Sequence, residues 1–267
     1  MIAGPRHFAA LAARLRWDAE ALELAGDGHA WSALDVARRR RLSVLLAGFC
    51  VAEFRVADEL APFELAARDP ALAAVFAAQR ADECRHCRLF DRIAALVLGV
   101  PGHGAEDRRD FVRGLAPPAV LDLFERRLPD AAAALAGGRV ALVDAVALYH
   151  LILEGIVLSA GQRALLAELG DGVLPAVRRG VELVERDERW HVGFGLRCML
   201  ELRPEPQAVA RLLREGEAAV GAWGAAVPAG IRLRVAAQHR RRLAAMGLLP
   251  AASAHAEVGR AEEARAG

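Results

Sequence analysis

The sequence predicts an all-α protein built around four long helices, and three observations carry that prediction. Ala, Leu, Arg and Glu dominate while β-branched runs are scarce, the bias of a helix former. Apolar residues recur at three- and four-residue spacing, the period of one helix face. Turn-forming residues cluster at 26–28, Asp69-Pro70, 99–104, Pro117-Pro118, Gly137-Gly138, 170–172 and 204–206, leaving long uninterrupted segments between them.

Taken in chain order, a short helix is expected near 6–24, then the first long one at 36–68. Its apolar stripe of Leu46, Phe49, Cys50, Val56, Ala57 and Leu60 also carries Glu53. The second long helix covers 71–98, followed by a shorter one at 118–135. The third, 140–169, contains the most apolar stretch of the chain, yet that stretch holds Asp144, His150 and Glu154. Each such group would cost roughly 2–3 kcal/mol at bilayer depth, so a buried helix is expected rather than a membrane span. The fourth runs over 175–202, with shorter helices at 206–222 and 229–247. At about 1.5 Å per residue each long segment can cross a four-helix bundle. A single helical domain over 1–250 follows, its bundle at about 36–202, with 251–267 as a flexible C-terminal tail lacking any aromatic anchor.

Bulk properties narrow the function classes. A chain of 267 residues, 55% hydrophobic, can bury a sizeable core. A formal charge of +1 disfavours nucleic acid or an anionic membrane as a partner held by bulk charge. Four cysteines are too few for a disulfide framework. The apolar piece at 8–15 is interrupted by Arg14 and Arg16 before it reaches signal-peptide length. A soluble, cytoplasmic protein is expected.

The chemistry lies in a doubled motif. Residues three apart share a helix face, so Glu83 with His86, and Glu188 with His191, each aim a carboxylate and an imidazole at one point. With 20 Glu and eight His in the chain, chance gives about 0.6 Glu-x-x-His matches, so one copy means little. Both copies, however, read Asp-Glu-x-x-His, at 82–86 and 187–191. About 0.03 are expected by chance, and an aspartate beside the motif can orient a ligating imidazole. Glu53 precedes the first pair by 30 residues and Glu154 the second by 34, so one half of the chain repeats the other. Taken singly, Glu53 reads as a salt-bridge partner for one of the many arginines, and either histidine as a core or surface residue. Together, a lone Glu on each of two helices and Glu-x-x-His on the other two form the ligand set of carboxylate-bridged dinuclear metal bundles.

These residues resemble the ferritin-like superfamily, and within it the ribonucleotide reductase small subunit and the small-subunit-like ligand-binding oxidases. In the latter an ether bond joins a valine three residues after the first Glu ligand to a tyrosine five before the third. Val56 and Tyr149 occupy those places, and Tyr149 is the only tyrosine in the chain. On a straight α-helix Tyr149 would lie about 140° from Glu154 at 100° per residue, so the pairing comes from the resemblance and not from spacing. The resemblance implies manganese near Glu53 and His86, and iron near Glu154, Glu188 and His191, with Glu83 bridging; two irons are the alternative. It further implies Asp82 and Asp187 as partners of the ligand histidines, a long-chain fatty acid as ligand and dioxygen as oxidant; a homodimer is common in such folds, and the sequence leaves the oligomeric state open. It covers roughly residues 36–202.

Other functions meet particular residues. The radical tyrosine of many reductase subunits falls at Phe90 here. N-oxygenases of this fold add a histidine near the last motif, and Val184 and its neighbours offer none. A di-iron acyl desaturase shares the motifs but predicts no crosslink, and a ferritin-like store gives no reason for the valine and tyrosine pairing. A helical adaptor, docking through the arginine runs at 38–41 and 240–242, would bind no metal; solvated helix faces explain those runs equally well. Cys84 and Cys87, interleaved with the first motif, read as small core-compatible residues, because a zinc site needs a second close pair.

Overall fold

A computed structural model describes residues 3–170 and 172–249, and the tail expected over 251–267 lies outside them. Helix α1 spans Pro5–Leu15, α2 Ala25–Ala33, α3 Val36–Glu59, α4 Ala61–Ala66, α5 Pro70–Leu96, α6 Ala105–Arg113 and α7 Pro118–Leu121. A π-helical stretch, Asp122–Arg127, leads into α8, Leu128–Ala136. Leu142–Glu168 is one continuous helix made of α9 (Leu142–Val146), a π-helical middle (Ala147–Leu158) and α10 (Ser159–Glu168). Helix α11 spans Pro175–Leu202 and α12 Pro206–Ala219; a 3-10 turn over Val220–Ala226 precedes α13, Ala229–Ala245. Among the described residues there is no strand.

Local chemistry sets the boundaries. The Asp35 carboxylate accepts from the Arg38 amide at 2.9 Å and caps α3; Asp69 accepts from the Ala71 amide at 2.8 Å, with Pro70 in the first turn of α5. The long helix expected over 36–68 ends at Glu59 instead, and α4 restarts with Pro62 in its first turn. Proline has no N–H and its ring clashes with the carbonyl four residues back, so the helix cannot run through it. The glycines at 26–28, expected to break the chain, lie inside α2. Gly28 meets the Leu96 backbone so closely that a Cβ would collide with its carbonyl, so glycine serves close approach there. Helix α6 lies between the segments expected at 71–98 and 118–135, where no helix is assigned from sequence; its Arg108 reaches Asp91 of α5 with two hydrogen bonds, of 2.7 and 2.6 Å.

Helices α3 and α5 pack as one hairpin and Leu142–Glu168 with α11 as another; α10 meets α3 and α11 meets α5, closing a four-helix bundle. Helices α11 and α12 supply most of the cover over the π-helical middle, and α1 lies across α5 and α11. Leu142–Glu168 is long and apolar enough to cross a membrane, but 78% of its most apolar window is buried, the state of a core helix. Its C-terminal end is tied to the first hairpin. The Arg38 guanidinium donates to the Glu168 carbonyl and to the Gly170 carbonyl, while Arg41 makes a two-point pair with the Glu168 carboxylate. Basic groups there satisfy free carbonyls and suit the negative end of the helix dipole. In the same way buried Asp27 of α2 accepts from the Val177 amide at 2.7 Å, capping α11 from a distant element.

Candidate metal centre

The six residues singled out in the sequence come together in the middle of the bundle. Glu53 comes from α3, Glu83 and His86 from α5, Glu154 from the π-helical stretch, and Glu188 and His191 from α11. None is more than 4% exposed. Two groups of ligand atoms form, each within 4.8 Å: Glu53, Glu83, His86 and Glu188, and Glu83, Glu154, Glu188 and His191. Glu83 and Glu188 belong to both, so Glu188 reaches further than the resemblance implied, which assigned it to the second group alone.

Each histidine turns Nδ1 inward and Nε2 outward. The His86 Nδ1 lies 3.3 Å from Glu53, 3.1 Å from Glu83 and 3.5 Å from Glu188. The His191 Nδ1 lies 3.0 Å from Glu83, 3.5 Å from Glu154 and 3.6 Å from Glu188. Outward, His86 Nε2 is 3.4 Å from Asp187 and His191 Nε2 is 3.6 Å from Asp82. The aspartates are therefore exchanged, each facing the histidine of the other half. Each also accepts from an indole, Asp187 from Trp17 at 2.6 Å and Asp82 from Trp190 at 3.2 Å. The Arg85 guanidinium donates to both aspartates. Trp17, Trp190 and Arg85 escaped the sequence reading because nothing in their spacing marks a partner on another helix.

The electrostatics are those of a crowded carboxylate cluster. Burial pushes Glu53 and Glu188 up to about 8 and Glu154 up to about 7. Glu83 is equally buried, but the imidazoles of His191 and His86 beside it hold it well below the usual carboxylate range. Burial alone would lower both histidines, and the surrounding carboxylates outweigh it and raise them well above the usual imidazole value. Four carboxylates cannot all ionise here without compensating cations. Glu53 Oε1, Glu154 Oε2, both Glu188 oxygens and both His191 nitrogens are buried without a hydrogen-bond partner, at about 1–3 kcal/mol per unsatisfied group. Among the described residues no arginine pairs with Glu53, whose partner is His86, so the salt-bridge reading of Glu53 does not hold. The donor set suits hard divalent cations such as manganese and iron.

Tyr149 reaches this cluster because of the π-helix. A π-helix bonds residue i to i+5, so Tyr149 and Glu154, five apart, stack one turn above the other, where a straight α-helix would part them by about 140°. The Tyr149 hydroxyl donates to Glu83 Oε1 at 3.0 Å. It accepts from the Gln79 amide at 3.0 Å, and the same amide donates to Glu154 at 2.9 Å. The carbonyl end of Gln79 faces His150 Nε2 at 3.1 Å. His150 stays neutral, pushed down to about 3 by burial and then by His191. Gln79 was not foreseen, although its position four before Glu83 is a same-face spacing. Val56 is buried in the core, 1% exposed. Cys84 is exposed and Cys87 buried, both free, so only Cys87 fits the reading of a core-compatible residue.

No protein-family model matches the chain, and no curated protein matches it in sequence. Solved structures do. An R2-like ligand-binding oxidase with a valine-to-leucine substitution and an anaerobically reconstituted Mn/Fe cofactor superposes at a TM-score of 0.78, with 19% identity over 93% of this chain and 94% of that one. The fold is that of the R2-like ligand-binding oxidases. A glycine-to-phenylalanine variant of that oxidase with Mn/Fe gives 0.78 at 20% identity, over the same 93% and 94%. A glycine-to-leucine variant of the oxidase with a non-activated Mn/Mn cofactor gives 0.76 at 19%, over 93% of each chain. The shared oxidase fold thus extends beyond residues 36–202, to which the sequence resemblance was confined.

Proposed function

We propose that this protein is a dinuclear-metal oxidase that activates dioxygen, with manganese and iron, or two irons, held by Glu53, Glu83, His86, Glu154, Glu188 and His191. In this reading an apolar long-chain acid is its ligand and an ether bond joins Val56 to Tyr149. The observation that carries the reading is the Tyr149 hydroxyl, hydrogen-bonded inside a buried carboxylate cluster to Glu83, the residue shared by both groups of candidate ligands. A metal store gives no reason for a phenol there. The oxidases of the same fold are described as ligand-binding and as carrying Mn/Fe, which supports the choice of metals and of a bound ligand. Phe63, Phe76 and Phe194 around Tyr149 and His150 favour an apolar one. The free cysteines fit a reducing cytoplasm.

Two such ions in their reduced state would supply electrons for the reduction of dioxygen. The protein's own part is orientation and proton handling. Asp187 and Asp82 face the Nε2 side of the two histidines, leaving Nδ1 as the inward donor. Gln79 fixes Tyr149 so that its hydroxyl proton points at Glu83 Oε1. Burial, then the charges of Glu154 and Glu83, raise Tyr149 well above the ordinary phenol range, so the phenol stays protonated until it is oxidised. Crosslinking breaks the Tyr149 O–H and one Val56 C–H bond and forms one C–O bond. Two protons and two electrons leave, and dioxygen accepts them.

The test is element-resolved metal analysis together with intact mass, before and after aerobic loading with iron(II) and manganese(II). About two metals per chain and a loss of two mass units are expected, with no loss in Tyr149→Phe. Two irons without a mass change would point to desaturase-like chemistry; a folded protein that takes up no metal would sink the proposal.

A further inference from the structure

We propose that the cleft between residues 16–19 and the outer face of α5 binds a small phosphate-bearing anion. The cleft has a volume of about 570 Å³, within the range of small-molecule sites, roughly 300–1,000 Å³. Arg16, Trp17, Asp18, Arg80, Arg85 and Arg88 supply its polar and aromatic lining. It lies outside the six candidate metal ligands and does not depend on whether they hold metals.

The charges converge without compensation. Arg16, Arg80 and Arg88 are exposed and have no ion-pair partner among the described residues, while Asp18 already accepts from the Glu20 amide at 2.9 Å. Three arginines against one aspartate leave two positive charges, the complement of a phosphate dianion rather than of a single carboxylate. Arg80 and Arg88 are eight residues apart on α5, about 12 Å along its axis, and both line the cleft, so an anion seated between them can be met from two sides.

The floor of the cleft gives the second, independent indication. Arg85 is 9% exposed. Its Nη2 serves Asp82 and Asp187, and its guanidinium lies 5.4 Å over the Trp17 ring. Its Nε is buried and makes no hydrogen bond. A buried donor left over in the lining of a basic cleft is the group an incoming oxyanion would satisfy.

Calorimetric titration of the purified full-length protein with inorganic phosphate at constant ionic strength tests this, with acetate in parallel. One site per chain is expected, with phosphate at least tenfold tighter than acetate. The double variant Arg80→Ala, Arg88→Ala should weaken phosphate at least tenfold with an unchanged circular dichroism spectrum, while Arg40→Ala, an exposed arginine elsewhere, should leave the affinity unaltered. Absence of saturable phosphate binding would overturn the proposal. So would acetate binding as tightly, or phosphate binding that the double variant retains, since the anion would then be held elsewhere.

Discussion

At Tyr149 the direction of one proton can be followed. Both N–H groups of Gln79 are committed, one to Tyr149 and one to Glu154, so the phenol can only donate toward Glu83. The opposite amide orientation would set the Gln79 carbonyl against the Glu154 carboxylate, two acceptors face to face. Gln79→Leu should therefore keep both metals but lower the yield of the two-unit mass loss several-fold, read by intact mass alongside metal analysis. Glu83 and Glu188 behave differently, because each serves both groups of ligand atoms. Replacing either by Ala should take bound metal from about two per chain toward none, whereas Glu53→Ala, which touches one group only, should leave about one. Glu83 with His86 and Glu188 with His191 were legible in sequence because the three-residue spacing on one helix fixes their common face, and Glu53 and Glu154 because each is a carboxylate on an apolar stripe. Gln79, Trp17, Trp190 and Arg85 were not marked, since the contacts of the last three depend on which helix lies opposite.

At the level of elements, the four long helices were readable because their periodicity persists over many turns, and periodicity is what burial on one face demands. Helices α2 and α6 were missed: each is nine residues long, and their glycines and charges resemble linker composition. The π-helical stretch was also invisible, because its residues are ordinary helix formers and only the packing reveals that one turn holds an extra residue. The arginine run at 38–41 reads differently on the folded chain. Arg38 and Arg41 bind the end of Leu142–Glu168, which makes them a clamp between hairpins rather than a docking patch. Arg38→Ala should destabilise the fold by about 1–2 kcal/mol, as expected for charge-assisted bonds to helix-terminal carbonyls that are partly solvent-screened. Urea denaturation would measure it, with metal content unchanged.

For the molecule as a whole, the exchanged aspartates mean that the centre exists only when the two hairpins are docked. Its electrostatics should then appear in global stability. Glu53, Glu154 and Glu188 are carboxyls raised by burial to about 7–8, so the folded state holds protons that the unfolded chain gives up near 4.5. The raised histidines act in the same sense above their unfolded value. Stability of metal-depleted protein should thus fall as pH rises from about 5 to 8, lowering Tm by something on the order of 5 °C or more. Divalent ions replace those protons, so the metal-loaded protein should show a much flatter profile by calorimetry, and metal uptake should release protons.

The order in which the chain leaves the ribosome gives the buried apolar helix a further meaning. Leu142–Glu168 is covered chiefly by α11 and α12, and both follow it in the sequence. A nascent chain ending near residue 170 would expose a helix able to pass for a membrane anchor, with little but the first hairpin to shelter it. That interval is when a chaperone, or an aggregating neighbour, would find this protein most open to capture.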